Sequence, residues 1–183
     1  MGRVQEFGSL RHLVVRFFGA LWPGGPSPSD EQWARQWLLP GEQELWGRMS
    51  GPDRRHAVGV ARGTIELLEP TGQVASRPVV ASALLHDVGK VESGFGTIGR
   101  ALLTGVALFV GRQRLVAPPV GTEGATRRRV RLYFSHDQVG AAMLAEAGSD
   151  PVTVAWTSEH HLDPSRWTLE PVVAHALKDA DGD

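Results

Sequence analysis

The chain has 183 residues, of which 42% are hydrophobic and 21% charged, a composition typical of one globular domain with a sizeable core. Its formal net charge of -1 argues against a dedicated nucleic-acid-binding protein, which is normally basic. There is no cysteine, so disulfides, thiolate zinc sites and cysteine nucleophiles are excluded, and a metal site has to use His, Asp and Glu.

Gly and Pro separate nearly all the segments with a helical pattern, and no segment shows convincing strand alternation, so we predict an all-α fold. Residues 3–21 have an amphipathic helical pattern that charged residues interrupt, which indicates neither a signal peptide nor stable membrane insertion. Two short helices follow, one capped by Ser29 and one over residues 42–49. We expect residues 1–51 to form a helical extension packed on a core domain of residues 52–183, as one compact cytoplasmic unit.

The core domain begins with a helix over residues 52–68 that carries His56, which Arg54 and Arg55 flank as they would a surface histidine. A second helix begins at Arg77 and ends in His86-Asp87, before a break at Gly89. An imidazole and a carboxylate side by side at a helix end can both reach one divalent cation. The alternative is a buried helix end at which His86 makes an ordinary core hydrogen bond.

The stretch from 91 to 134 is long for a connection, and we interpret it as an insertion that forms a lid or an interface. Within it, residues 97–113 predict a hydrophobic helix that is buried or joins two copies of the chain in a homo-oligomer. The basic run 127–131 is typical of a solvated face, or of an anion-binding edge where it borders a pocket. Three more helices follow: one capped by Ser135 and starting at His136, one from Asp150-Pro151 to His160-His161, and one from Glu170-Pro171 that carries Asp181.

Five of the seven histidines thus lie on or at the ends of predicted helices, in the order His, His-Asp, His, His-His, followed by Ala-Asp. This order resembles the HD superfamily of metal-dependent phosphohydrolases over about residues 52–181. The matching pieces are His56, LLHDVGK at 84–90, HDQVGAAMLAEAG at 136–148, SEHH at 158–161 and ALKDAD at 176–181.

The resemblance implies an all-α HD-domain helical bundle with extra N-terminal helices, which holds one or two divalent ions (Mn, Fe, Co, Ni, Mg or Zn) per chain. One ion would take His56, His86, Asp87 and a C-terminal aspartate, which we assign to Asp181 with Asp179 as the competitor. In relatives with a second ion Asp87 would bridge the pair, and the further ligands would be His136, His160 and His161. Lys90 matches a position near the substrate phosphate.

The resemblance further implies a hydrolase acting on a phosphate ester of a nucleotide or another small phosphorylated metabolite, with Asp87 and Lys90 as catalytic residues and Arg128 or Arg131 on a distal phosphate. Two departures are visible: His136 is followed by Asp137 where the family usually has proline, and no Gly-Tyr-Pro follows His161, which argues against cyclic-di-GMP cleavage. Two alternatives remain, a di-iron oxygenase of the HD type and a non-catalytic HD module that senses a nucleotide or binds a partner. Trp156 and Trp167 are candidates for stacking on a base or for the core.

Overall fold

The computed structural model describes residues 24–94 and 124–182, and over these ranges the chain is all helical, as predicted. The α-helices in chain order are α1 (Pro28–Gln36), α2 (Pro40–Arg48), α3 (Gly51–Leu68), α4 (Arg77–Leu85), α5 (Ala125–Phe134), α6 (His136–Glu146), α7 (Pro151–Glu159) and α8 (Pro171–Asp181). Short 3-10 helices cover Glu69–Thr71, Val88–Ser93 and Pro164–Arg166. The predicted segments 3–21 and 97–113 lie outside the described residues.

Proline in the first turn starts six of these helices, where its missing N–H costs nothing and its fixed φ suits the helix. Side-chain caps fix several of the same starts. Ser50 accepts from the amide of Asp53, and Asp150 accepts from the amide of Val152. The expected cap of α1 was wrong: Ser27 accepts from the amide of Asp30, and Ser29 already lies inside the helix.

Helix α4 is the centre of the bundle, because all its residues from Val79 to Leu85 are buried. A helix that is apolar on all sides has to be surrounded by other elements. It packs against α3 on one side and α7 on another, while α8 packs along α3 and α6 packs along α7. Helices α1 and α2 bury Ala34, Leu45 and Trp46 in the same hydrophobic cluster.

The 3-10 helix Val88–Ser93 continues the chain directly after α4 and packs against α5 and α6. The first residues of the stretch interpreted as an insertion, Val91 to Ser93, thus belong to this 3-10 helix. Arg129 on α5 secures its end, since its guanidinium donates to the carbonyl oxygens of Ser93 and Gly94. Ser135 was also interpreted wrongly, because its hydroxyl donates to the carbonyl of Arg131 and does not cap α6.

Two glycines allow α6 to approach the 3-10 helix closely. A Cβ atom added to Gly89 would lie 2.0 Å from the carbonyl oxygen of His136, and one added to Gly140 would lie 3.0 Å from the amide nitrogen of Gly89. Neither glycine has a positive φ, so the lack of a side chain is what the packing requires. This contact sets how far α6 lies from the end of α4.

Candidate metal centre

The ends of four helices converge with one face of α3 to form a cluster of imidazoles and carboxylates. Helix α4 ends at Leu85 and delivers His86 and Asp87, and α8 delivers Asp181 in its last turn. The remaining members are His56 on α3, His136 at the start of α6, and His160 and His161 directly after α7. The cluster therefore contains all seven residues that the sequence marked as candidate ligands.

These side chains form two groups of potential metal ligands. Group one contains His56, His86 and Asp181, and group two contains His136, His160 and His161. Within each group the nearest nitrogen or oxygen atoms all lie within 4.8 Å of one another. Metal–ligand bonds of about 2.0–2.2 Å to nitrogen and oxygen can span such a group after small side-chain adjustments.

Asp181 holds group one together. Its Oδ1 lies 3.0 Å from Nε2 of His56 and 3.6 Å from Nε2 of His86. The carboxylate is nearly buried, and burial alone would raise its pKa. The hydrogen bond with His56 and the charge of His86 outweigh burial and hold the pKa of Asp181 below its ordinary value. The group therefore keeps an ionised carboxylate at its base.

Asp87 lies between the two groups and points one oxygen at each. Its Oδ2 is 3.5 Å from Nε2 of His86 in group one, and its Oδ1 is 3.3 Å from Nε2 of His136 in group two. Burial would raise the pKa of Asp87, but the charges of Lys90 and His86 and the contact with His136 hold it well below its ordinary value. An ionised, two-sided carboxylate in this position suits a bridging ligand.

Three of the histidines are oriented by the same kind of hydrogen bond to a backbone carbonyl. The Nδ1 atom of each donates to the carbonyl oxygen of the residue three positions earlier: His86 to Ala83 at 2.9 Å, His136 to Tyr133 at 2.8 Å and His160 to Thr157 at 2.9 Å. A carbonyl only accepts, so each Nδ1 carries a proton, and Nε2 is the ring atom that faces the cluster and can bind a cation when the ring is neutral. Metal-binding histidines commonly use this arrangement.

Two of these Nε2 atoms have no good hydrogen-bond partner. Nε2 of His86 and Nε2 of His160 are buried and find no hydrogen-bond partner within residues 24–94 and 124–182. Nε2 of His86 has two ionised carboxylates beside it, at distances too long for good hydrogen bonds. Buried polar atoms without partners are costly. A cation bound between the rings and the carboxylates removes that cost, so the donor set fits a divalent metal ion.

The surroundings of His160 and His161 in group two keep these two rings neutral. Burial lowers the pKa of His160 to about 2, with the charge of His86 as the next cause. Burial and the charge of His136 lower the pKa of His161 to about 4. At neutral pH both rings are unprotonated, as metal ligation requires.

The cluster is closed at its base and open along one rim. The rings of His86 and His160 are only 2% and 1% exposed, whereas His161 is exposed and the side chain of His56 is 32% exposed. The side chain of Lys90 is 22% exposed, and its Nζ donates to Oδ2 of Asp87 at 2.5 Å. Burial would lower the pKa of Lys90, but the charges of Asp87 and Asp53 raise it. A permanent positive charge therefore lies beside the bridging position of Asp87.

The other candidates contribute no ligand atom to the two groups. Asp179, the competitor of Asp181, is exposed on α8. Trp156 is 2% exposed and packs on the ring of Trp167 at 5.5 Å, so it belongs to the core and does not offer a stacking face.

Asp137, which replaces the usual proline, is buried and accepts from the amide of Gln138, within the first turn of α6 where a negative charge is favourable. Arg128 is exposed and Arg131 is half-buried on α5.

Three residues near the cluster were not predicted from the sequence. Asp53 lies one helical turn before His56 and acts on the charge of Lys90. Tyr133, the one tyrosine of the chain, places its ring 6.2 Å from that of His136. Lys178 donates to the carbonyl of His160. Each of the three precedes a candidate ligand by three positions: Asp53 precedes His56, Tyr133 precedes His136 and Lys178 precedes Asp181. Residues at this spacing on a helix are neighbours, so the spacing could have indicated them from the sequence.

Searches against protein-family models, curated proteins and solved structures found no match to this chain. Among the described residues no helix combines the length and the apolar character needed to cross a membrane.

Proposed function

We propose that the chain is a metal-dependent phosphohydrolase of the HD type, which hydrolyses a phosphate ester of a nucleotide or another small phosphorylated metabolite. The observation that carries the proposal is the set of Nε2 atoms on His86, His136 and His160. A backbone carbonyl orients each ring, the first two Nε2 atoms lie beside ionised Asp87, and the third is buried without a hydrogen-bond partner among the described residues. The order of these residues along the chain is the order in the HD resemblance. The position of Asp87 between the two groups supports the bridging role that the resemblance implies.

Group one would hold one divalent ion and group two a second, with Asp87 between them. Bound ions of this kind polarise a phosphoryl oxygen and lower the pKa of a bound water. The donor set consists of imidazole nitrogens and carboxylate oxygens, which suits Mn, Fe, Co, Ni and Zn, and less strongly Mg.

The charge of the site supports an anionic substrate. The two ionised carboxylates of Asp87 and Asp181 and the ammonium of Lys90 sum to a small net negative charge. Two divalent ions reverse that sign, so a phosphate group is then favoured over a neutral molecule. Lys90 keeps its proton beside Asp87, where it would neutralise negative charge that grows on the phosphoryl oxygens in the transition state.

Asp87 has a second role beyond ligation. Its contact with Lys90 fixes the ammonium beside the two groups, so that one carboxylate orients both the metal site and this positive charge. The solvent-exposed His161 and the half-exposed His56 leave the rim open for a small substrate. The buried base made by His86 and His160 keeps water away from the inner ligand atoms.

The test compares two conservative aspartate variants in phosphate release from a panel of nucleotides and small phosphate esters, with Mn²⁺ added. Asp87→Asn removes the bridging charge and should lower activity at least about 100-fold. Asp179→Asn changes an exposed aspartate of α8 and should stay close to wild type. An Asp87→Asn variant as active as Asp179→Asn would refute the proposal.

One feature favours the oxygenase as a second candidate: group two consists of three imidazoles, a donor set that suits iron. The two functions separate in a single experiment on the iron-loaded protein. Phosphate release without dioxygen consumption supports the hydrolase. Dioxygen consumption with a small organic substrate and no phosphate release from the panel supports the oxygenase.

A further inference from the structure

The turn that carries His160 and His161 is fixed from outside by side chains that arrive later in the chain. Trp167 donates from its indole to the carbonyl of Glu159 at 3.1 Å. Lys178 donates from Nζ to the carbonyl of His160 at 3.0 Å. The last carbonyls of a helix have no partner within the helix, and a lysine is well suited to satisfy one of them.

The two ligand groups rest on different helix pairs. Group one uses α3, the end of α4 and α8, and α8 packs along α3 so tightly that a Cβ added to Gly63 would lie 3.3 Å from that of Ala180. Group two uses α6 and the end of α7, and α7 packs on α6 and α4. The bond from Lys178 ties α8, which carries Asp181 of group one, to the turn that carries two ligands of group two.

The position of Lys178 on α8 makes this tie direct. It precedes Asp181 by three residues, about one helical turn, so both side chains project from neighbouring parts of the helix surface. The chain contains only two lysines, Lys90 and Lys178, and each donates a hydrogen bond at the cluster, one to a ligand carboxylate and one to a ligand backbone.

We propose that Lys178 is a positioning residue for group two, and that it sets the affinity of the second metal ion without contributing to the first. The inference rests on the metal binding in the proposed function. Loss of the bond frees the His160–His161 turn to shift relative to Asp87, whereas His56 and Asp181 keep their relative position through the packing of α3 on α8. Residues that orient ligands typically change metal affinity by about 10- to 100-fold.

The experiment is a calorimetric titration of the metal-free full-length chain with Mn²⁺, repeated with Co²⁺. Lys178→Met keeps most of the aliphatic stem and removes the donor. In Lys178→Met we expect the first metal ion to bind with the wild-type affinity and the affinity for the second ion to fall by about 10- to 100-fold. Lys178→Arg keeps both the charge and the hydrogen-bond donor, so it should keep much of the wild-type affinity for the second ion. Lys178→Gln is too short to reach the carbonyl and should behave like Lys178→Met.

Arg62→Met is the control, because Arg62 also joins two helices, through Asp30 at 2.7 Å and the ring of Trp33 at 4.4 Å, and it lies six residues after His56 on α3. It should leave both equivalents unchanged. Equal weakening of both equivalents in Lys178→Met and Lys178→Gln would show a general structural role and overturn the inference. Unchanged affinities for both ions in both variants would also overturn the inference, but they would leave the proposed function intact. A wild-type chain that binds no metal would contradict the proposed function itself, and this inference with it.

Discussion

At the residue scale, the most informative feature is the pairing of each Nδ1 with a carbonyl three residues earlier. Sequence reasoning placed His86, His136 and His160 at helix ends, but it could not show that their rings point at one another. The orientation depends on the backbone at each helix boundary, where the carbonyls of Ala83, Tyr133 and Thr157 are accessible. The sequence identified the ligand types, and the folded backbone selects the tautomer.

His160 provides a pH prediction for the metal-free protein. Its pKa is about 2 in the folded chain and about 6.5 when unfolded, so between these values the unfolded state binds a proton that the folded state does not. The free energy of unfolding should therefore fall as the pH drops from 6.5 towards 4, by up to about 1.4 kcal/mol per pH unit from this residue.

Urea unfolding of wild type and His160→Gln, at pH 5 and pH 7 with EDTA present, measures this effect. The variant cannot titrate at this position, so its stability should depend less on pH than that of wild type. Equal pH dependence in the two proteins would contradict the burial of a neutral imidazole at this position.

At the element scale, helix starts were predictable and close contacts between helices were not. Proline and a capping side chain mark the beginning of α3 and of α7, and both can be read from the chain. Asp181 was likewise preferred over Asp179 from the position of an Ala-Asp pair. The contact of Gly89 with α6 depends on residues 47 positions away, and no local pattern indicates it.

That contact gives a mutational prediction. In Gly89→Ala the new methyl group collides with the carbonyl of His136, so the variant should lose about 1–3 kcal/mol of stability and its Mn²⁺ affinity at group two should fall. Gly47→Ala is the control, because a Cβ there meets nothing within 4 Å and should stabilise α2 by up to about 1 kcal/mol. Thermal unfolding and Mn²⁺ titration measure both effects. A Gly89→Ala protein with unchanged stability and metal affinity would show that α6 adjusts without consequence.

At the scale of the whole molecule, the cluster joins the ends of α4, α6, α7 and α8 to one face of α3. Bound metal should therefore stabilise the entire described bundle. A ligand present at 100 times its dissociation constant contributes about 2.7 kcal/mol per site. For a chain of this size that raises the Tm by several degrees.

The all-helical architecture could be predicted from the spacing of apolar residues and helix breakers, because the helical periodicity of each segment is visible in its own sequence. The assembly of the cluster could be predicted only through the resemblance to a family. Nothing in composition or periodicity relates His56 to Asp181, which are 125 residues apart and in contact at 3.0 Å. Such long-range proximity is a product of helix packing, here of α8 along α3.

The most direct test of the central claim is the number of metal ions retained per chain after loading with Mn²⁺ and removal of excess metal, in wild type and in His86→Ala. We predict two ions per wild-type chain, lower occupancy in His86→Ala, and a Tm that falls on EDTA treatment in wild type but much less in the variant. Wild type that retains no metal, or a His86→Ala protein that retains as much as wild type, would contradict the account.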